Sequence, residues 1–323
     1  MGGLIEHLWL KAIVESPLWP HSVDRNPRRA VETYWRYKMR EPLELEHPQT
    51  LNEKIQWLKL YGDRRLWSEW ADKYRAKELL RECGLECYLT QTYGIWDRAE
   101  DIDFTTLPDR FVLKCTHDCG STIVVHDKKQ LDCQRVVHQL SKRLKSPYGY
   151  HSTELHYIDI PRRVMAEELI DSSSDPTQQR SLTDYKFWCF NGHAELCFIC
   201  YNRGQGAHQH HVMKDLYTAH DFNPFREGLV ESERPAADQP YMVCPANYDE
   251  MLQLAEHLSK GHPEVRVDLY NINGKIYFGE MTFTSFGGIM RYFTPQMQQH
   301  LGALTNLEVN CPPTVHTNPQ TND

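Results

Sequence analysis

The sequence lacks the features that would mark a membrane-spanning or nucleic-acid-binding protein. It has no uninterrupted apolar run long enough to span a bilayer, and its start shows no basic stretch followed by an apolar one, so we expect no secretory signal. Lysine and arginine total 36 against 44 acidic residues, a net charge of −8 that argues against nonspecific binding to nucleic acid. We therefore expect a globular, cytoplasmic protein with no nucleic-acid partner.

Several catalytic and metal motifs are also missing. The chain has neither the Walker spacing of a P-loop nor a Ser/His/Asp or Cys/His triad. Cys197-Phe-Ile-Cys200 is a single CxxC in a strand-like run, where residues three apart point to opposite faces, so structural zinc is disfavoured. The ten cysteines are instead expected to be reduced and mostly buried.

The most informative stretch is an acidic hairpin near the C-terminal end. Residues 265–270 and 275–283 read as strands, and Asn273-Gly274 between them supplies the positive φ angles of a tight turn. Alternation predicts two sets of side chains that share faces: Arg266, Asp268 and Tyr270 on the first strand, and Ile276, Phe278, Glu280 and Thr282 on the second. Hairpin pairing then brings Asp268 beside Glu280, with Arg266 and Thr282 next along.

Paired carboxylates repel, so they are usually held by a cation or a proton. Asp268 and Glu280 offer hard oxygen ligands, which suit Mg²⁺. The alternative is a surface hairpin whose acids face water. Neighbouring apolar residues such as Leu269 and Phe283 favour a buried hairpin, where unpaired acids would be costly.

Five lysines or acids elsewhere stand in or at the ends of predicted elements. Lys114 closes a strand before the loop that contains Gly120 and Ser121, an arrangement that can meet phosphate oxygens, although a surface lysine is the simpler interpretation. Lys73 opens a helix, Glu167-Glu168 ends a strand, and Lys186 lies in a hairpin strand; each alone indicates only exposure.

The remaining pattern is mixed. Periodicity and turn residues predict helices over 52–61, 71–83, 128–144 and 248–260, and strands over 111–115, 122–126, 163–170, 185–190 and 195–201. Residues 1–48 are helical in period and broken by prolines; we expect them to pack on their own domain, with contact to a membrane surface or partner as the alternative. Residues 306–323 are expected to be a disordered tail.

An ordered set of motifs over about residues 50 to 304 resembles the TupA-like ATP-grasp family, named for teichuronopeptide biosynthesis and common in surface-polysaccharide gene sets. The hairpin is similar to the metal-binding end of ATP-grasp ligases such as D-alanine–D-alanine ligase, where the pattern is Arg-x-Asp, a hairpin and Glu-x-Asn. The stretches that carry the resemblance are 51–61, 72–74, 111–121, 166–169, 184–187, 189–192 and the hairpin itself.

The resemblance implies an α+β fold in which two ATP-grasp lobes clasp ATP. We expect an N-terminal helical segment over 1–70, reduced relative to these ligases, and a first lobe with a glycine-rich flap over 71–165. A C-terminal lobe with the metal hairpin would cover 166–305, and the tail 306–323.

The resemblance also implies a role for each site residue. Lys73 and Lys114 would hold ATP phosphates beneath a flap at Gly120 and Ser121, and Lys186 would hold the terminal phosphate. The adenine hinge would consist of Glu167, Glu168 and Ile170, with Asp171 as a guess for the ribose contact. Asp268 and Glu280 would bind Mg²⁺, Arg266 would stabilise an oxyanion, and Thr282 stands where the peptide ligases have Asn.

The activity implied is ATP-dependent carboxylate–amine ligation through an acyl phosphate. The carboxylate could be a uronic acid, an amino acid or a peptide, and the amine an amino acid. One alternative is a glycosyltransferase, which should begin with a Rossmann-like strand and helix that the chain lacks and which often carries an Asp-x-Asp motif. Another is a non-catalytic nucleotide-binding protein. His208, His210 and His211 could bind metal, but a mobile polar loop is the favoured interpretation.

Overall fold

The computed structural model of the 323-residue chain describes residues 2–173, 175, 181–201 and 213–308. The His208–His211 loop and residues 309–323 of the predicted tail lie outside the described residues. Helices and two antiparallel sheets alternate along the chain, which confirms the predicted α+β class.

The described ranges contain ten α-helices. They are α1 (Gly2–Val14), α2 (Trp19–Arg25), α3 (Pro27–Met39), α4 (Leu51–Tyr61), α5 (Arg64–Ala71), α6 (Lys73–Glu82), α7 (Cys133–Leu144), α8 (Leu155–Ile158), α9 (Tyr248–Ser259) and α10 (Pro295–Leu304).

Polar caps explain where several helices begin. Thr50 and Glu53 form a reciprocal capping box at the start of α4. The side chain of Asp72 accepts hydrogen bonds from two backbone N–H groups at the start of α6, so the predicted helix over 71–83 begins two residues later, after the separate helix α5. Asp132 caps α7 in the same way and shortens the helix predicted from residue 128.

The first sheet has four strands, in the order β1-β4-β2-β3. The strands are β1 (Thr92–Trp96), β2 (Phe111–Cys115), β3 (Ile123–Val125) and β4 (Val164–Glu167). Helix α7 packs on β2, and an apolar cluster that includes Phe111, Leu113 and Leu140 fills the space between the sheet and the helix. Strand β4 crosses the predicted domain division after residue 165; the domain boundaries stay predictions.

The second sheet has five strands, in the order β7-β6-β5-β8-β9. The strands are β5 (Asp184–Phe190), β6 (His193–Tyr201), β7 (Met213–Thr218), β8 (Val265–Ile272) and β9 (Lys275–Thr282). One face, with Phe187 and Val267, packs on α5 and α9; the other, with Trp188 and Phe198, packs on α4 and α10. Cys197 and Cys200 fall in clusters on opposite faces, as expected for this CxxC.

The β8–β9 hairpin departs from simple alternation at one residue. Gly279 is the extra residue of a bulge: Asp268 lies opposite Glu280, whereas Leu269 lies opposite Phe278. Ile276 and Phe278 therefore join the apolar core, so their predicted place on the face of Glu280 and Thr282 is wrong. A Cβ on Gly279 would approach the carbonyl oxygen of Asp268 to 2.9 Å, which explains why glycine occupies the bulge.

The expectation of mostly buried cysteines is also wrong. All nine cysteines within the described ranges are free thiols, but only Cys115, Cys189, Cys197 and Cys200 are buried.

The N-terminal segment packs on the domain with only part of its apolar surface. Leu10 and Val14 of α1 are buried with Trp19, and they contact α3 and residues near α8. The outward face of α1 leaves Leu4, Ile5, Leu8 and Trp9 more than half exposed. Among the described helices, none combines the length and the apolar character needed to cross a membrane.

Candidate functional site

The hairpin places a network of opposite charges on one face of the second sheet. Arg266 lies opposite Thr282 and Asp268 lies opposite Glu280, the pairing that the sequence predicts. The guanidinium of Arg266 donates two hydrogen bonds to Asp268, from Nε to Oδ1 at 2.6 Å and from a terminal nitrogen to Oδ2 at 2.8 Å. The same group lies 3.5 Å from Glu280 and donates to the hydroxyl of Thr282 at 3.1 Å.

Strand β5 adds a second cation to this network. Lys186 lies opposite Asp268, and its ammonium group contacts the carboxylate of Asp268. The ammonium group also lies 2.6 Å from Asp184, two residues earlier on the same face of the strand. Three carboxylates and two basic groups therefore share one buried cluster, here called the hairpin cluster: Asp184, Lys186, Arg266, Asp268 and Glu280.

Burial strengthens these contacts and sets the protonation of the cluster. Desolvation would raise the pKa of Asp268, but Arg266 and Lys186 hold the pKa below its usual value. Desolvation would likewise lower the pKa of Lys186, but Asp184 and Asp268 raise it. Asp268, Lys186 and Arg266 therefore carry their charges near neutral pH. Glu280 is the most accessible member of the cluster, with 37% of its side chain exposed.

Trp188 and Ser285 hold Arg266 in place. The guanidinium lies over the indole ring of Trp188, 5.6 Å from its centroid, and donates to the hydroxyl of Ser285 at 3.2 Å. Neither residue was predicted from the sequence, although Trp188 lies two residues after Lys186 and so shares its face of β5.

A second charged cluster lies at the end of β4. Glu167 is 7% exposed, and its carboxylate contacts the ammonium groups of Lys114 and of Lys77, the latter at 2.6 Å. Thr90 donates a further hydrogen bond to it at 2.9 Å. Despite burial, which alone would raise the pKa of Glu167, the two lysines lower it to about 2. Lys77, one turn after Lys73 on α6, is the member that sequence reasoning missed.

The neighbouring hinge residues have different environments. Glu168 lies on the other side of the strand, and its carboxylate accepts a hydrogen bond from the backbone N–H of Gln91 at 3.1 Å. Ile170 is half-buried just beyond the strand. Asp171 forms an ion pair with Arg110 at 2.9 Å, on the exposed surface.

The loop after β2 is anchored to α6 and α7. Lys73 donates from its ammonium group to the backbone carbonyl of Asp118, and Arg143 donates to the carbonyl of Gly120 at 2.9 Å. Gly120 has a φ of +82°, which glycine adopts without strain. The hydroxyl of Ser121 donates to Asp118 and accepts from the N–H of Cys115 at 2.9 Å, so this residue braces the loop.

The same loop lies close to the hairpin cluster. Although Cys119 is exposed, desolvation by the surrounding atoms raises the pKa of its thiol, and the charge of Glu280 raises it further, while Lys73 and Arg266 lower it. Lys73, Arg266 and Glu280 therefore lie within electrostatic range of Cys119, and the region around these residues is here called the cleft; Lys114 and Glu167 lie on adjoining strands of the first sheet.

The family of this chain follows from comparison of its sequence with family profiles. A profile of the family described as TupA-like ATP-grasp matches residues 53–306. The chain belongs to the TupA-like ATP-grasp family. No curated protein is significantly similar to this family member.

Several solved structures resemble this ATP-grasp chain in fold. D-alanine–D-alanine ligase from Bacillus anthracis, complexed with ATP, is 14% identical, with 76% of this chain and 68% of that chain covered and a TM-score of 0.43. The ATP-grasp ligase PsnB, complexed with a minimal precursor, Mg and ADP, is 12% identical, with coverages of 90% and 75% and a TM-score of 0.40. The D-cycloserine synthetase DcsG is 12% identical, with coverages of 73% and 70% and a TM-score of 0.41.

The chain contains an Asp-x-Asp sequence, which glycosyltransferases often carry, but here its second aspartate stabilises a turn. Asp101-Ile-Asp103 is an Asp-x-Asp, located after a short 3₁₀ turn at residues 99–101. The carboxylate of Asp103 accepts hydrogen bonds from the N–H and hydroxyl of Thr105, which is a local turn contact. It therefore adds no support for a nucleotide-sugar site in this ATP-grasp chain.

A cavity of about 870 Å³ lies between the N-terminal helices and the segment that follows the hairpin. Its walls come from α1, α3 and α4 on one side and from the segment that follows the hairpin on the other; lining residues include Trp35, Tyr37, Arg40, Met290 and Arg291. The N-terminal segment thus contributes one wall of this cavity. The other wall includes Met290 and Arg291, which follow Ser285 by a few residues in the sequence.

Proposed function

We propose that this ATP-grasp chain is an ATP-dependent ligase that joins a carboxylate to an amine. The observation that carries the proposal is the hairpin cluster, in which Arg266 and Lys186 converge on Asp268 beside the loop at residues 116–121. Buried basic groups next to acidic oxygen ligands are what a triphosphate and a divalent cation need from a protein.

The donor set fits Mg²⁺. Asp268, Glu280 and Thr282 present oxygen atoms on one face of the hairpin, and Glu280 keeps part of its carboxylate accessible. Thr282 replaces the amide of the peptide ligases by a shorter hydroxyl, and Mg²⁺ readily retains water in unfilled positions. A bound Mg²⁺ would neutralise charge on the terminal phosphates of ATP.

The chain's own residues would bind and orient the reactants. Lys73, Lys114 and Lys186 would screen phosphate charge, and Gly120 and Ser121 would cover the phosphates from the loop. Glu167, Glu168 and Ile170 would line the adenine hinge. Lys114 is paired with Glu167 in the structure. To hold a phosphate as well, the ammonium group of Lys114 would have to contact both the carboxylate and the phosphate.

The proposed reaction balances in two steps. A carboxylate oxygen of the substrate attacks the γ-phosphorus of ATP; an O–P bond forms, and ADP leaves. The amine then attacks the acyl carbon; a C–N bond forms, the C–O bond to phosphate breaks, and phosphate and a proton leave. Arg266 would stabilise the negative oxygen that develops at the acyl carbon, because it is held rigidly by Trp188, Ser285 and Thr282.

The substrates follow from family membership only as classes. A uronic acid of a surface glycan with an amino acid as the amine is one option, and an amino acid or peptide carboxylate is the other. A cytoplasmic location and a peripheral membrane contact through the exposed residues of α1 remain part of the proposal.

Nucleotide choice and product formation test the function together. ATP with Mg²⁺ should raise the melting temperature, and UDP-glucose should not; the opposite result favours the glycosyltransferase. ADP release should then appear with one pair from a panel of acids and amines. ATP binding without ADP release from any pair would favour the non-catalytic alternative.

Arg266→Ala is the decisive variant for the chemistry. We expect it to abolish amide formation while ATP still raises the melting temperature, because the charge it would stabilise develops only during the reaction. Arg226→Ala is the matched control: Arg226 makes the same two-point contact with a buried Asp215, at 2.9 and 2.6 Å, on β7 and outside the cleft. If both variants lose activity equally, the assigned role of Arg266 is wrong.

A further inference from the structure

Two histidines and a glutamate meet on the opposite side of the second sheet from the hairpin cluster. His193 begins β6, His220 follows β7, and Glu256 lies on α9. One potential ligand atom from each lies within 4.8 Å of the other two. Helix α9 packs on the face that carries Phe187, whereas Lys186 and Asp268 lie on the reverse face, so this group does not belong to the cleft.

The spacing suits tetrahedral coordination. The same oxygen of Glu256 lies 3.6 Å from Nδ1 of His193 and 3.1 Å from Nε2 of His220. Metal–ligand bonds of about 2.0–2.1 Å at tetrahedral angles separate neighbouring ligand atoms by about 3.3 Å. The two imidazole rings are stacked, with centroids 4.7 Å apart and planes 17° apart, so one ring has to rotate about its side-chain torsions before both nitrogens point at a common ion.

Neighbouring residues hold this arrangement. Glu195 is the extra residue of a bulge in the β5–β6 pairing, and its carboxylate lies 3.8 Å from the second nitrogen, Nε2, of His193. The other oxygen of Glu195 lies 2.6 Å from Nε2 of His300 on α10. A carboxylate hydrogen-bonded behind a ligating imidazole fixes its tautomer and makes it more basic, so Glu195 has to move closer to His193 than 3.8 Å to act in this way. The backbone N–H of Ala194 donates to Glu256 at 3.0 Å.

The backbone also brings the ligands together without an ion. The turn before His193 has positive φ at Asn191 and Gly192, and it is fastened just beyond α9 by hydrogen bonds from the N–H of Asn191 to the carbonyl of His262 and from the N–H of Gly261 to the side chain of Asn191. A Cβ on Gly192 would lie 3.0 Å from the side chain of Lys260. The hairpin end and the helix are therefore in close contact.

We propose that His193, His220 and Glu256 bind a divalent transition metal ion of the zinc type, with water in the fourth position. Imidazole nitrogen with one carboxylate selects such an ion over Mg²⁺. All three side chains are at least partly accessible, so an ion can enter from solvent. The ion would join the start of β6, the end of β7 and α9, and so would stabilise the outer part of this lobe. The proposal does not depend on the ligase function.

Metal titration of the full chain tests the site. After chelation and removal of metal, calorimetry with Zn²⁺ and the visible spectrum of added Co²⁺ should both reveal one saturable tetrahedral site. His220→Ala and Glu256→Gln should each weaken zinc binding by more than about tenfold, and Glu195→Gln by about tenfold, with unchanged circular dichroism. Mg²⁺ in excess should not compete.

Two controls make the assignment specific. His257→Ala removes an exposed histidine from α9 itself, outside the cluster, and should leave zinc affinity unchanged. Replacement of His208, His210 and His211 by alanine should also leave it unchanged. The proposal is overturned if the wild-type chain shows no saturable zinc binding. It is equally overturned if binding survives in His220→Ala and Glu256→Gln, since the donors would then be cysteines or the His208–His211 loop.

Discussion

Replacement of Glu167 by glutamine should destabilise the protein by a pH-dependent amount. The carboxylate is buried between Lys77 and Lys114, which lower its pKa from 4.5 to about 2. A shift of this size corresponds to about 3 kcal/mol of unfolding free energy at pH 7. Burial lowers the pKa of Lys77, so in the variant this lysine can release its proton; the figure is therefore a ceiling.

The sign of the pH dependence follows from the lowered pKa. Glu167 stabilises the fold above the unfolded-state pKa near 4.5, and this contribution is lost as pH falls toward about 2. The difference between wild type and Glu167→Gln should thus shrink from about 3 kcal/mol at pH 7 to about 1 kcal/mol at pH 3.

Urea unfolding followed by tryptophan fluorescence at pH 7, 4.5 and 3 measures this difference. Glu168→Gln is the matched control, because the adjacent carboxylate accepts only a backbone N–H among the described contacts and should cost less than about 1 kcal/mol. A loss that stays constant down to pH 3, or an equal loss in Glu168→Gln, would refute the ion-pair explanation.

Three further predictions follow from individual residues. Burial raises the pKa of Glu264, so Glu264→Gln should stabilise the fold above pH 4.5 and have no effect well below it, as measured by the same urea assay. Gly279→Ala forces a Cβ to 2.9 Å from the carbonyl oxygen of Asp268 and should cost about 1–3 kcal/mol; a thermal melt equal to wild type would contradict this. Hydrogen exchange over residues 116–122 should slow when ATP and Mg²⁺ are added; exchange that ignores ATP would remove the flap role.

The parts of the site that sequence predicts are those set by local geometry. Strand alternation and the Asn273-Gly274 turn place Asp268 opposite Glu280 and Arg266 opposite Thr282, and the structure confirms both pairs. The position of Phe278 could not be predicted in this way. A bulge depends on the register across two strands, and the only local signal was a glycine in the second strand.

Partners from distant elements also escaped prediction. Lys77 reaches Glu167 from α6, a contact between residues 90 positions apart in a segment where the lysine looks like a solvated helix residue. The metal-like group of His193, His220 and Glu256 likewise joins three separate elements, and it has no motif spacing. By contrast, His208, His210 and His211 are close in sequence and were considered as metal ligands for that reason, but they lie outside the described residues.

Asp184 shows why the hairpin cluster needs a third carboxylate. In the structure Arg266 and Lys186 make three contacts with the carboxylate oxygens of Asp268, which together offer about four lone-pair positions, so a metal has to compete with these groups for Asp268. Lys186 then keeps a buried counter-charge only because Asp184 lies 2.6 Å away. In the Asp184→Asn variant, Lys186 should therefore be held more firmly by Asp268. The Mg²⁺ concentration at which ATP stabilises the protein to heat should then rise. ATP affinity without Mg²⁺ should not fall. An unchanged Mg²⁺ requirement would mean that Asp268 does not exchange partners, and the metal would then rest on Glu280 alone.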